Sequence, residues 1–150
     1  MKGVIISGLL LLTNHVQGQN IVGTWQANDT LVTSNYREHY VFSIGNKFAY
    51  NTSGYDGLQR ILTIGGHYRI AGSVLFLTPE YTVENRAGTV ERSHVTTLND
   101  SWAIMEGPLK TYKISAPVRQ SVQFRLVKRK KGLCLLLDST PYYRVTITAN

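Results

Sequence analysis

Two short stretches near the ends of the sequence decide the predicted fold: Gly23-Thr24-Trp25 near the start and Tyr142-Tyr143-Arg144 near the end. The first lies within the predicted strand Ile21–Asp29, and the second begins the predicted strand Tyr142–Thr148. A tryptophan in the first strand and an arginine in the last strand suggest a barrel whose two ends meet. We therefore predict that the two strands meet, with Gly23, Trp25 and Arg144 closing a barrel.

Between these stretches the chain consists of short runs of Val, Ile, Thr, Tyr and Phe, and no window of helical periodicity follows the first 18 residues. Short turns separate the runs, and short turns join neighbouring antiparallel strands in sequence order. The pattern predicts an all-β domain, a single antiparallel up-and-down β-barrel of about eight to ten strands without substantial helix. The predicted turns are Gly45-Asn46, Gly65-Gly66, Ala71-Gly72-Ser73, Ala87-Gly88 and Asn99-Asp100.

The first 18 residues have the features of a signal peptide. Lys2 precedes an apolar run from Gly3 to Leu12 that is too short to span a bilayer, and Val16-Gln17-Gly18 suits a signal peptidase. We expect cleavage near Gly18, which leaves residues 19–150 as one β-barrel domain. The predicted location is the periplasm or the outside of the cell, with no membrane span in the mature chain.

Few residues of the sequence support an enzymatic function. Cys134 is the single cysteine, so no internal disulfide can form, and its apolar neighbours predict a small buried residue. His39, His67 and His94 show no metal-ligand spacing with one another or with a carboxylate, and no nucleophile elbow is present. We predict no catalytic residue, no bound metal, no cofactor and no enzymatic activity.

The sequence is basic, with 16 Lys and Arg against 9 Asp and Glu and a formal net charge of +7. Four of the cations form the run Lys128, Arg129, Lys130 and Lys131, which lies between two apolar strand patterns and reads as a solvated hairpin turn. An alternative is contact with an anionic lipid, an anionic polysaccharide or an acidic protein. Nucleic acid is not an expected partner, because the chain carries no binding motif for it.

Alternation of large apolar and polar residues predicts one inner and one outer face for each strand. The inner face is rich in aromatic residues, whose flat rings and hydroxyl groups suit a small hydrophobic or amphipathic molecule. Arg60 has the apolar parity of Leu58 and Leu62, so it could meet a ligand carboxylate. The alternatives are an arginine that reaches water and a solid aromatic core. The predicted ligand-binding residues are Tyr40, Phe42, Tyr50, Arg60, Tyr68 and Trp102.

The Gly23-Thr24-Trp25 opening with Arg144 near the end resembles the lipocalins and the wider calycin group of barrels. The segment Gly66-His67-Tyr68-Arg69-Ile70 and the closing Tyr142-Tyr143-Arg144 are similar to those of lipocalin-like proteins exported by Bacteroides-type bacteria. The resemblance implies that the tryptophan plugs one end of the barrel and that the arginine packs over its ring. The resemblance informs the fold more than the function, and the binding of a small hydrophobic or amphipathic molecule is predicted from the aromatic inner face. The alternative is a solid barrel that acts through its surface and the basic hairpin.

Overall fold

A computed structural model describes residues 20–27, 37–92, 102–105 and 107–145 of the protein. Within these ranges the chain contains strands and no helix. The strands are β1 (Gly23–Ala27), β2 (His39–Ser43), β3 (Lys47–Asn51), β4 (Ile61–Ala71), β5 (Val74–Glu84), β6 (Val90–Arg92), β7 (Trp102–Ile104), β8 (Lys110–Lys113), β9 (Gln120–Arg129), β10 (Gly132–Leu137) and β11 (Thr140–Val145).

Eight of these strands form a closed antiparallel barrel. The ring runs β1, β2, β3, β4, β5, β9, β10 and β11, and β11 returns to pair with β1. Thr24 lies opposite Val145, and Trp25 lies opposite Arg144. This confirms the predicted all-β, up-and-down barrel, with β8 as an additional strand.

Alternation along most strands places the main core inside the ring, whereas Cys134, Leu136 and Tyr143 of β10 and β11 form a separate buried cluster. Tyr40 pairs with both Trp25 and Tyr50, and these side chains share the inner face. Burial of such large apolar side chains is the main favourable contribution to folding, at about 25 cal/mol for each Å² removed from water. The most deeply buried inner side chains are Ile21, Trp25, Phe42, Leu75 and Leu135.

The predicted turn at Gly65-Gly66 is wrong, because both glycines lie inside β4. Gly65 faces Tyr81 and Gly66 faces Pro79, so Glu80 has no register partner on β4 and β5 carries a bulge there. A Cβ atom on Gly65 would lie 2.2 Å from the ring carbon Cζ of Tyr81. The two glycines therefore allow a close strand approach, which the sequence pattern alone does not separate from a turn.

The wall of the barrel is interrupted beside β5. Strands β8 and β9 both pair with the same edge of β5, Lys113 with Tyr81 and Gln120 with Leu77. Residues 114–119 connect β8 to β9, but only residues 78–80 of β5 lie between the two paired positions. Pro117 is one of the connecting residues. The last hydrogen bond of this connection to β5 is from Ile114 N–H to the Glu80 oxygen at 2.8 Å, and Pro117, beyond it, has no N–H to donate. Strands β6 and β7 form a separate two-stranded sheet.

Several predictions of the sequence analysis fall on residues outside the described ranges. These are the signal peptide at residues 1–18, the Asn99-Asp100 turn and His94. In the part of the chain that is described, no helix has the length and hydropathy needed to cross a bilayer.

Candidate functional site

Three tyrosines gather on the inner face of the barrel, where β2, β3 and β11 present them to one another. The ring centroid of Tyr40 lies 4.7 Å from that of Tyr50 and 5.2 Å from that of Tyr142. The Tyr50 hydroxyl donates a hydrogen bond of 2.9 Å to Oε2 of Glu38. This tyrosine cluster, defined as Tyr40, Tyr50 and Tyr142, combines an apolar surface with a few fixed polar atoms.

An inner cavity of about 220 Å³ lies beside the tyrosine cluster. An apolar cavity of about 150 Å³ is large enough to hold benzene, whereas drug-sized ligands occupy about 300–1,000 Å³. The inner cavity therefore matches a compact guest. It is lined by Tyr40, Phe48, Tyr50, Ile64, Leu77, Pro79, Thr82, Ile114 and Gln120.

Two carboxylates accept hydrogen bonds from side chains that line the inner cavity. Glu38 accepts from Tyr50, and Oε1 of Glu84 accepts from the Thr82 hydroxyl at 2.5 Å. Hydrogen bonds from Arg86, and then from Thr82, hold the pKa of Glu84 below its ordinary value. The guanidinium of Arg86 also lies 4.0 Å from the centre of the Tyr112 ring. Sequence reasoning missed Glu84, because its position at the end of a strand gave no sign of its partners.

Two of the predicted ligand-binding residues belong to the packed core. Phe42 is buried, and its ring meets the ring of Tyr68 edge to face at 5.1 Å. Burial raises the pKa of Tyr68. Neither residue lines the inner cavity, whereas Tyr40 and Tyr50 both do. The structure therefore brings two of the six predicted residues together at the cavity.

The prediction that Trp102 points into the barrel is wrong. Trp102 begins β7, which belongs to the separate two-stranded sheet, and 55% of its surface is exposed. Its position depends on a pairing between β6 and β7 that alternation along one strand does not reveal. Trp102 therefore lies outside the barrel interior.

Arg60 lies just before β4, where the alternation used to predict its direction does not apply. Its Nη1 donates to the backbone oxygens of Asn85, Arg86 and Gly88 at 3.1, 2.9 and 3.2 Å. The register between β4 and β5 is irregular next to this point, between Ile61 and Thr63. Arg60 therefore holds the segment after β5 against the start of β4. Its predicted contact with a ligand carboxylate stays a prediction.

The residues predicted to close the barrel lie together where β1 meets β11. Trp25 is completely buried, and its Nε1 donates to the Ile21 oxygen at 2.7 Å. Arg144 Cζ lies 5.9 Å from the centre of the Trp25 ring, and Nη2 donates to the Val22 oxygen at 3.2 Å. A Cβ atom on Gly23 would lie 3.3 Å from Arg144 Nε, so the guanidinium rather than the indole lies against Gly23.

The basic hairpin, defined as Lys128, Arg129, Lys130 and Lys131, joins β9 to β10. All four residues are exposed, which fits a solvated turn. Nζ of Lys131 lies 5.9 Å from the centre of the Tyr143 ring. Contact with an anionic partner through this hairpin stays a prediction.

No cluster of three or more metal-ligating side chains occurs among the residues that the structure describes. Nδ1 of His67 lies 2.9 Å from Oε1 of Glu80 on the exposed surface, and His39 lies on another strand. Cys134 is completely buried, and burial raises the pKa of its thiol. The expectation that the protein is not an enzyme stays a prediction.

The tyrosine cluster gives the protein an expected alkaline instability. Burial raises the pKa of Tyr40, Tyr50 and Tyr142 above the ordinary value of about 10. The contribution of these neutral hydroxyls to stability is complete below the unfolded-state pKa and is lost as the pH rises toward the folded-state pKa. We expect unfolding to begin above about pH 10. Absorbance at 295 nm, which follows tyrosine ionisation, should show these tyrosines ionising only as the protein unfolds.

A matched pair of variants tests that assignment. Tyr50→Phe removes one group whose ionisation opposes folding. We therefore expect its alkaline unfolding to have a higher pH midpoint than its free energy of unfolding at neutral pH alone would give. Tyr55→Phe, at a residue that is 72% exposed, should leave the midpoint unchanged. Equal midpoints for the two variants would contradict a contribution from Tyr50.

The fold is compatible with a lipocalin-like barrel, and this compatibility concerns architecture alone. The chain matches no family model, no curated protein and no solved structure.

Proposed function

We propose that the barrel binds a small hydrophobic or amphipathic molecule in its inner cavity. The observation that supports this most directly is a cavity of about 220 Å³ inside the ring, with apolar walls and the tyrosine cluster beside it. Desolvation of the apolar part of the guest would supply the free energy of binding. We propose that the protein is a lipocalin-like carrier and that it is exported, with residues 1–18 removed, as the leader sequence supports.

The carboxylates around the inner cavity indicate which polar group the guest carries. Tyr50 and Thr82 use their hydroxyl hydrogens to reach Glu38 and Glu84, so each hydroxyl oxygen offers an acceptor to a guest. A guest carboxylate would meet these acceptors without a donor from them, and it would lie near the like charge of Glu38, whereas the charge of Glu84 is paired with Arg86. We therefore propose a guest with a neutral or cationic donor, such as an alcohol or an amine, in preference to a fatty-acid anion.

The interruption of the wall offers a route to the inner cavity. Ile114 and Gln120 flank the unpaired segment between β8 and β9, and both line the cavity. The guest would pass between them, so the segment 115–119 would act as the rim of a side opening.

Three probes with one alkyl chain and different head groups test the proposal: 1-octanol, octylamine and octanoate. By calorimetry we expect octanol and octylamine to bind, and octanoate to bind at least about tenfold more weakly. The variant Ile114→Phe should abolish binding by filling the cavity, while Ile44→Phe, at a residue 89% exposed outside both the lining and the side opening, should not.

Each alternative outcome has a defined meaning. Equal binding of all three probes would overturn the proposed preference for a donor head group, while the cavity would remain the binding site. Absence of binding, or binding that Ile114→Phe leaves intact, would overturn the interior site and favour a solid barrel. In that case contact through the basic hairpin would be the remaining prediction.

A further inference from the structure

The strands that carry the tyrosine cluster present a second row of side chains on their opposite face. His39 pairs with Asn51, Asn51 with Thr63, and Thr63 with Val83 across β2, β3, β4 and β5. The neighbouring row, which begins with Tyr40 and Tyr50, faces the interior. Because side chains alternate along a strand, the row from His39 to Val83 lies on the outside of the barrel.

A groove of about 780 Å³ lies over this outer row. Its far wall forms where the loop after β3 meets β7: Ile104 donates its backbone N–H to the Gly57 oxygen at 2.7 Å. A Cβ atom on Gly57 would lie 3.0 Å from Ala103 Cβ, so the two segments are in close contact. This outer groove, defined by Asn51, Gln59, Thr63, Asn85, Ile104 and Leu109 among its lining residues, has the volume of a typical ligand site.

A chain of hydrogen bonds fixes the floor of the outer groove in one arrangement. Nδ1 of His39 lies 2.9 Å from the Arg37 backbone oxygen, which can only accept, so Nδ1 carries the proton. Nε2 of His39 then accepts from Nδ2 of Asn51 at 3.0 Å. The Thr63 hydroxyl donates to Oδ1 of Asn51 at 2.8 Å. The second amide hydrogen of Asn51 and the lone pairs of Thr63 remain for a ligand.

The charge of the outer groove favours a neutral ligand. Among the described residues that line it, Asp56 is the only carboxylate and there is no lysine or arginine. Oδ1 of Asp56 already accepts the backbone N–H of Leu58 at 3.0 Å. The other polar lining side chains are amides and hydroxyls, which both donate and accept neutral hydrogen bonds, and the imidazole of His39, whose two nitrogens are already bonded to Arg37 and Asn51.

Two exposed aromatic residues lie in the segments that form the walls of the outer groove, although neither is among the residues that line it. Trp102 shares a face of β7 with Ile104, which lines the groove, and Tyr55 lies between the lining residues Gly54 and Asp56. Their exposed fractions are 55% for Trp102 and 72% for Tyr55. Rigid aromatic rings provide large contact area at low entropic cost, and their electron-rich faces attract the C–H groups of a sugar ring.

We infer that the outer groove binds a neutral oligosaccharide, with Trp102 and Tyr55 stacking on sugar rings and Asn51 and Thr63 exchanging hydrogen bonds with sugar hydroxyls. Amides and hydroxyls on a fixed floor, aromatic rings at the edge and almost no charge together match that ligand chemistry. The inference is independent of the inner cavity, because the two sites lie on opposite faces of the same strands.

Tryptophan fluorescence gives a direct test, because the sequence contains only Trp25 and Trp102 and Trp25 is completely buried. Quenching by acrylamide therefore reports mainly on Trp102. The probes are cellohexaose, maltohexaose, mannohexaose and the hexamer of N-acetylglucosamine, each at up to about 5 mM, a range that detects millimolar dissociation constants. We expect at least one probe to reduce the quenching of Trp102 by acrylamide in a saturable way. Heparin hexasaccharide should give no reduction that persists at high salt.

Variants then locate the site by calorimetry with the bound hexasaccharide. We expect Trp102→Ala and Tyr55→Ala each to weaken binding by roughly tenfold, Trp102→Phe to restore part of the loss, and Ile44→Ala, at a residue 89% exposed in the β2–β3 turn, to have no effect. Octanol should not displace the sugar. Failure of all four neutral probes, tighter binding of heparin, or displacement by octanol would each overturn the inference.

Discussion

Replacing Trp25 with alanine is expected to destabilise the folded protein by about 3–5 kcal/mol, the usual cost of removing a buried aromatic side chain. The indole is completely buried, so the variant leaves a cavity in the core. It also removes the hydrogen bond to the Ile21 oxygen and the partner over which the Arg144 guanidinium lies. Urea titration measures the free energy of unfolding, and an unchanged dependence of that free energy on urea concentration would show that only stability has changed.

Trp102→Ala is the matched control, because it removes the same side chain from an exposed position. We expect its effect to stay within about 0.5 kcal/mol, as is usual for surface substitutions. If the two variants were equally stable, Trp25 would not contribute to closing the ring between β1 and β11. Arg144→Met separates the guanidinium from the indole, and we expect it to cost less than Trp25→Ala because the ring stays buried.

The second large effect is expected at the bulge between β4 and β5. A Cβ atom on Gly66 would lie 2.0 Å from the Thr78 backbone oxygen and 2.9 Å from the Glu80 nitrogen. Because both obstacles are backbone atoms, Gly66→Ala must displace β5 itself. We expect a loss of about 3 kcal/mol or more, at or above the upper end of the cost of overpacking a core. Urea unfolding of the purified variant measures it.

Gly65→Ala separates a side-chain clash from a backbone clash. At this position the obstacle is the Tyr81 ring, which lies 2.2 Å from the added Cβ. We expect Tyr81→Ala to recover much of the stability lost in Gly65→Ala, with a coupling free energy of about 1–3 kcal/mol in a double-mutant cycle. Gly66→Ala should not be recovered by Tyr81→Ala. Recovery in both cases would show that the bulge does not require Gly66.

The sequence was sufficient to predict the fold class, because alternation and short turns are local properties. Tyr40, Phe42 and Phe48 follow the predicted parity into the barrel interior, and the turns at Gly45-Asn46 and Gly72-Ser73 are present. Gly65-Gly66 was misassigned because glycine serves two purposes. It permits tight turns, and it permits close approach of another strand, as at the Tyr81 ring.

The candidate sites were less predictable, because they depend on residues that are distant in sequence. Trp102 owes its exposed position to pairing with β6, and the Nη1 contacts of Arg60 lie 25 to 28 residues away. The hydrogen bonds of Glu84 and the floor of the outer groove depend on strand register, which alternation does not specify. Local patterns therefore gave the faces of the strands but not the side chains that meet across them.

The pairing of β1 with β11 has a consequence for the time at which the barrel can form. Thr24 meets Val145, so the ring cannot close until nearly the whole described chain has been synthesised. Contacts between such distant residues make folding slow, because loop-closure entropy must be overcome before the pairing is gained. Until then β1 and β10 each have an unpaired edge, which is a template for association with another chain. A chaperone that covers these edges during synthesis would therefore increase the yield of the folded protein.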